Sequence, residues 1–251
     1  MMLVIIPVFV MTIWFTWRYR ATHPDAPYTP HWSYSGRIDA IVWMVPAALV
    51  VVLSSLVWIY VHRLDPYKPL TASRPPLRVD VVAEDWKWLF LYPAQKIAVV
   101  NRLVFPADRP LSLRLTSDTV MDSFYIPGLG GQIYVMAGMQ TRLHLRADGP
   151  SSFVGLNTQY SGVGFPDQHF AVHAVSAAGF RAWVARVKRS PKTLNATTYA
   201  ALAKPSVRFP VTYYSAYEHG LFARIIHHYT GPMQPRSSRA ATTPTQPGGG
   251  K

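Results

Sequence analysis

Residues 120–146 read Val-Met-Asp-Ser-Phe-Tyr-Ile-Pro-Gly-Leu-Gly-Gly-Gln-Ile-Tyr-Val-Met-Ala-Gly-Met-Gln-Thr-Arg-Leu-His-Leu-Arg. Short apolar runs alternate here with Pro-Gly and Gly-Gly turns, which is the chemistry of β-hairpins. A second stretch, 153–170, reads Phe-Val-Gly-Leu-Asn-Thr-Gln-Tyr-Ser-Gly-Val-Gly-Phe-Pro-Asp-Gln-His-Phe, with a Gly-rich polar loop between two apolar ends. Working outward, runs rich in Val, Phe, Tyr and Leu occupy 77–83, 86–92, 97–105, 111–116, 123–126, 132–135, 140–146, 153–157 and 170–176. Many short strands, closely spaced with Pro, Gly and Asp between them, predict an all-β sandwich.

The pattern changes after this region. Phe180, Trp183, Val184 and Val187 fall at i, i+3, i+4 and i+7, which predicts an amphipathic helix over 177–190 with Ser176 as its N-cap. Arg181, Lys188, Arg189 and Lys192 share its outer face, which suits solvent or a contact with headgroups or a partner. Shorter helices are expected at 195–204 and 221–229. The tail, 231–251, is Ser, Thr, Pro, Gly and Arg, too poor in apolar surface to fold.

Two apolar runs precede the strands. Residues 1–17 carry no charge and end at Arg18 and Arg20. About 20 residues are usual for a span, so this run is only just long enough. It lacks the positive n-region and small-residue cleavage site of a signal peptide. The second span is expected over 38–60, with Pro46 inside it and Trp43, Trp58 and Tyr60 suited to the interfaces. The connector 20–37 holds Pro24, Pro27 and Pro30. Arg18, Arg20 and Arg37 outweigh Asp25, so the positive-inside rule puts the connector in the cytoplasm and the strand-rich domain outside. The expected organisation is a transmembrane hairpin (1–63), a Pro-rich linker (64–76), a β-domain (77–176), a helical extension (177–230) and the tail (231–251).

Composition narrows the chemistry. Of 251 residues none is Cys, so disulfides, thiolate metal ligands and lipidated Cys are excluded. Lys and Arg number 25 against 12 Asp and Glu, a formal charge of +13. Such an excess suits nucleic acid, an anionic membrane surface or an acidic partner. No nucleic-acid motif is present, and the apolar runs favour membrane or partner subunit. No nucleophile elbow, phosphate loop or metalloprotease motif occurs. His169 and His173 sit four apart on one strand face, about 13 Å between backbones, too far to share a metal. His227 and His228 are adjacent and point differently. Trp86 and Trp88, in Glu-Asp-Trp-Lys-Trp-Leu-Phe (84–90), are expected to pack in the core.

The stretches 120–146 and 153–170 resemble the copper-site half of subunit II of the haem–copper respiratory oxidases, and the resemblance runs from the first residues to about Pro191. It implies a cupredoxin-type sandwich. In members fed by cytochrome c the later loop reads Cys-x-x-x-Cys-x-x-x-His-x-x-Met, with a Glu between the cysteines and a further His from the earlier loop. Softness and charge are what that copper site needs. Carried onto this chain, the earlier His falls at Asp122, the two Cys at Asn157 and Ser161, and the Glu at Gln159. The later His falls at Phe165 and the Met at Gln168. Scaffold kept and ligands gone is the pattern of subunit II of the bo-type ubiquinol oxidases. Such relatives usually begin further upstream, often with a lipoprotein signal, so the resemblance implies either a start upstream of Met1 or a genuinely short first span.

The resemblance further implies a place in a proton-translocating quinol oxidase of the bacterial inner membrane, with the globular domain periplasmic. This chain would bind no cofactor. Haems and copper are expected in a large subunit, with smaller membrane subunits and the lipid bilayer as further partners. Asp39, before Trp-x-x-Pro in the second span, stands where the family commonly has a Glu near a proton channel, so it is a candidate for proton entry. The competing readings are a cytochrome c oxidase subunit II that has lost its copper site and a membrane-tethered cupredoxin-like binding module.

Overall fold

The computed structural model describes residues 2–20, 22, 31, 33–65, 67–68, 70 and 74–230. The tail 231–251, most of the connector and part of the linker lie outside the described residues. The chain divides between Arg63 and Leu64 into two compact units.

The first unit holds α1 (Met2–Arg18) and α2 (Gly36–Arg63). Among the described residues α2, at 28 residues, is the one helix long and apolar enough to cross a membrane. α1 is apolar too, but its 17 residues are short of the usual length of about 20. None of α2 is buried, so its apolar surface needs lipid or a partner to cover it. Ser55 Oγ donates to Val51 O, and Thr12 and Thr16 bond back to Val8 O and Thr12 O, so these hydroxyls are satisfied inside their own helices.

The second unit is a two-sheet sandwich with a third layer. Its strands are β1 (Leu77–Glu84), β2 (Lys87–Tyr92), β3 (Ile97–Val100), β4 (Arg102–Pro106), β5 (Leu111–Ser117), β6 (Asp122–Tyr125), β7 (Ile133–Val135), β8 (Thr141–Leu145), β9 (Ser151–Asn157) and β10 (His169–Val175). After them come α3 (Ala177–Lys188), β11 (Thr193–Leu194), α4 (Ala196–Leu202), β12 (Thr212–Tyr214), β13 (Ala216–Tyr217) and α5 (Leu221–Thr230). One sheet runs β12-β3-β2-β1-β5-β8 and faces β4-β10-β9-β6-β7. Val79, Val81, Trp88, Phe90, Leu113, Phe124, Phe170 and Val172 form the core between them. Trp88, Phe124 and Phe170 pack ring on ring at 5.1–5.6 Å. Gly155 makes room for them, since a Cβ there would lie 1.9 Å from Phe170 Cζ.

Two expectations are corrected here. The apolar run 97–105 is not one strand: it breaks at Asn101 (φ 57°), and β3 and β4 join different sheets. Asparagine tolerates this left-handed backbone, and its amide fastens the corner. Asn101 Oδ1 accepts from Trp88 N at 2.8 Å, and Nδ2 donates to Phe209 O at 2.7 Å. The second correction concerns 177–230, which is more than a helical extension. Strand β12 extends the six-stranded sheet, pairing Thr212 with Val100. Leu194, Leu202, Tyr214, Leu221, Phe222 and Ile225 pack on Val82, Leu89, Leu91, Ala98 and Val100, the outer face of that sheet. Every residue of β2 is therefore buried. α3 matches its sequence pattern: Phe180, Trp183 and Val187 are buried, and the Ser176 side chain accepts from Gly179 N.

Candidate functional site

Four of the six positions taken from the copper-bearing pattern meet at one end of the sandwich. Asp122 begins β6, Asn157 ends β9, and the intervening loop returns Ser161 and Gln168 beside them. Asn157 Nδ2 donates to Asp122 Oδ1 at 2.6 Å and to Gln168 Oε1 at 2.8 Å. Gln168 Nε2 donates to Asp122 Oδ2 at 3.0 Å, and Ser161 Oγ donates to Gln168 Oε1 at 2.8 Å. Asn157 Oδ1 accepts from the backbone N–H groups of Ser123 and Gln159 at 2.9 and 3.0 Å. Asp122, Asn157 and Gln168 are buried. Gln159 enters only through that backbone N–H. Phe165 stands aside, in a 3-10 turn with its ring 5.7 Å from that of Tyr160.

Burial pushes the Asp122 carboxyl up to about 6, with the charge of Asp85 adding to it, against hydrogen bonds from Gln168, Asn157 and Ser161. Each of its oxygens receives an amide N–H, which limits the rise. The donors gathered here are amide, hydroxyl and carboxylate, a set suited to mutual hydrogen bonding and without the softness that copper sites use.

The β1–β2 turn closes over this loop. Trp86 adopts φ 62° and its Nε1 donates to Ser161 O at 2.9 Å. The indole lies against Gly164, where a Cβ would come 2.3 Å from Trp86 Cδ2. Trp88 packs in the core as expected, whereas Trp86 is half-buried and packs on the loop instead.

Behind the same turn lies a second polar cluster that the sequence reading did not single out. Glu84, the last residue of β1, is fully buried. Tyr199 of α4 places its hydroxyl 2.8 Å from Glu84 Oε1 and 2.6 Å from Asp118 Oδ2. Glu84 Oε2 is buried without a hydrogen-bond partner. Burial, and then the Asp118 charge, push the Glu84 carboxyl up to about 8. The same burial and the same carboxyls push the Tyr199 phenol far up. Gln168 Nε2 also approaches Glu84 O at 3.4 Å, so the two clusters adjoin. The acid pair Glu84-Asp85 at the end of an apolar strand was the only local signal, and Tyr199 is 115 residues away in sequence.

Asp39 lies in the first turn of α2, where its backbone N–H bonds Ser35 O at 2.9 Å. His169 is exposed, and His173 Nδ1 lies 3.0 Å from Ser152 Oγ. Among the described residues no group of three or more His, Asp or Glu converges as a metal site.

The sandwich and its amide-lined end define a class: a two-sheet β domain preceded by an apolar helix, with a buried hydrogen-bonded cluster at one end. Residues 188–233 match the COX Aromatic Rich Motif family. Over 238 residues, 95% of this chain and 76% of the relative, the sequence is 50% identical to the cytochrome bo(3) ubiquinol oxidase subunit 2 of Pseudomonas putida. It is 46% identical to the ubiquinol oxidase subunit 2 of Acetobacter aceti over 235 residues, 93% of this chain and 76% of that one. Among solved structures, the periplasmic domain of subunit II of cytochrome oxidase from Bradyrhizobium japonicum aligns with a TM-score of 0.44 at 18% identity, covering 46% of this chain and 96% of that one. The chain belongs to the family of ubiquinol oxidase subunit 2 proteins.

Proposed function

We propose that this chain is the non-redox subunit II of a proton-translocating ubiquinol oxidase, which oxidises quinol and reduces oxygen to water in the bacterial inner membrane. The observation that carries the reading is half-identity with a bo(3) ubiquinol oxidase subunit 2 across nearly the whole chain. The buried amide cluster supports it. Asp122, Asn157, Ser161 and Gln168 take the place of four copper ligands, and Gln159 and Phe165 complete the emptied set. With no thiolate in the chain, an electron entering here finds no acceptor. Haems and copper then belong to a large partner subunit, with smaller membrane subunits beside it. The chain anchors in the lipid bilayer, and its role is to brace that subunit from the periplasmic side. α1 and α2 form a membrane hairpin in this reading, with the arginine-bearing connector cytoplasmic.

Asp39, at the cytoplasmic start of α2, is proposed to collect protons for the large subunit. A carboxylate at a membrane helix end suits that task, and it also favours the helix dipole by about 0.3–1 kcal/mol. Affinity purification of the tagged chain from its native membranes tests both ideas. A haem-bearing partner and quinol-driven oxygen uptake should accompany it, and their absence would sink the subunit reading. Asp39→Asn should slow that uptake while haem content stays normal. Unchanged turnover from about pH 6 to 9 would leave Asp39 as a helix-end acid only.

A further inference from the structure

A phenol carries one hydrogen, yet the Tyr199 hydroxyl sits within hydrogen-bond distance of two carboxyl groups. Two ionised carboxylates cannot both be served by it. One of the two must therefore be a carboxylic acid whose own proton points at the phenolic oxygen. The burial of the pair decides which. Glu84 is fully buried with Oε2 unpartnered, whereas Asp118 is half-buried on the β5–β6 loop. A charge without donors costs far more inside the protein than a neutral acid. We propose that Glu84 is a buried proton-holding site: it donates its proton to Tyr199, Tyr199 donates to Asp118, and this relay latches α4 and the aromatic-rich segment onto the sandwich.

Of the neighbouring charges, Asp118 and Asp85 add to the effect of burial on Glu84, and Lys87 opposes it. From the β1–β2 turn come Asp85 and Lys87. The three hydrogens of Lys87 Nζ are matched by Lys204 O and Ser206 Oγ, both at 2.9 Å, and by Asp85 O at 3.2 Å, which leaves none for Glu84. From α5, Tyr229 donates to Asp118 O, and Arg224 and His228 line a recess with Asp118 and Tyr199. Arg224 is itself paired with Glu218. The outer end of the relay at Asp118 thus opens on a half-exposed recess, while the inner end at Glu84 is fully buried, with the Lys87 charge nearby but its hydrogens directed elsewhere. When Glu84 loses its proton, Tyr199 cannot satisfy both acids, and α4 must shift to admit water. The proton is thereby coupled to the seating of α4, within the 188–233 segment that matches the aromatic-rich family.

Hydrogen–deuterium exchange on the full chain in detergent micelles tests this, corrected for the intrinsic rise of amide exchange with pH. In the wild type, exchange of the α4 amides should accelerate above about pH 8, by up to about tenfold per pH unit. Glu84→Gln keeps a donor to Tyr199 and cannot ionise, so its α4 should stay protected across the range. Asp118→Asn removes the charge that holds the proton on Glu84, so its transition should move to lower pH. The infrared band of a protonated carboxyl at neutral pH should be present in the wild type and lost in Glu84→Gln. Parallel pH profiles for wild type and Glu84→Gln would overturn the latch, as would an infrared spectrum that Glu84→Gln leaves unchanged. If Glu84→Gln does not fold, an Asp118→Asn transition that stays in place or moves to higher pH overturns it instead.

Discussion

Asp122 and Glu84 are two buried carboxyls near the same end of one sandwich, and they are kept in different ways. Asp122 has an amide N–H on each oxygen, and its carboxyl is raised only to about 6. Glu84 shares one phenol with a second acid, has a bare oxygen, and rises to about 8. At neutral pH the first is an acceptor and the second an acid. Burial raises both carboxyls first of all; the Asp118 charge then lifts Glu84 further, while hydrogen bonds from Gln168, Asn157 and Ser161 hold Asp122 down. The amides of Asn157 and Gln168 also supply the cross-links between β6, β9 and the loop.

The comparison can be broken at its hub. Asn157→Ala removes both donors to Asp122 and Gln168 and orphans the N–H groups of Ser123 and Gln159. Unfolding by urea, followed by tryptophan fluorescence on the chain in micelles, should show a loss of about 4–5 kcal/mol. A loss below about 1 kcal/mol would mean that water replaces the amide, and that the cluster does not hold the loops.

A smaller effect separates the two acids by pH. Each has a folded-state value above its unfolded one, so the native state binds the proton more tightly, and stability falls as pH rises. For Glu84, raised from 4.5 to about 8, that contribution is complete below the unfolded value and is lost through pH 8. The wild type should lose about 3 kcal/mol between about pH 5 and 9, and Glu84→Gln should remove most of that slope. For Asp122 the window runs from 3.8 to about 6, and Asp122→Asn should flatten a loss of about 2 kcal/mol there. Identical slopes in wild type and both variants would show that neither carboxyl is shifted by its surroundings.

What the sequence disclosed follows from the range of the interactions involved. Most strands were legible because apolar runs and turn residues are local signals, and α3 was legible because Ser176 and the Phe180–Trp183–Val187 spacing lie within a few turns. The corner at Asn101 was hidden, since residues 97–105 are apolar enough for one strand and the bend is fixed by contacts to Trp88 and Phe209. The third layer was missed, although the run of β2, Lys-Trp-Leu-Phe-Leu-Tyr, carried a signal for it, since one-sided burial produces alternation. Four of the six carried-over site positions converge, because strand ends place Asp122 and Asn157. The loop path, set by the contact of Trp86 with Gly164, turns Phe165 away. Nothing local could join Glu84 to Tyr199.

Copper loading of the purified full chain, followed by gel filtration and metal analysis, tests most directly the claim that hydrogen bonds occupy the place of a metal site. The expected result is copper well below one equivalent per chain, the same in wild type and Asp122→Asn. One tightly held equivalent in the wild type, lost in Asp122→Asn, would contradict it and return this end of the sandwich to metal chemistry.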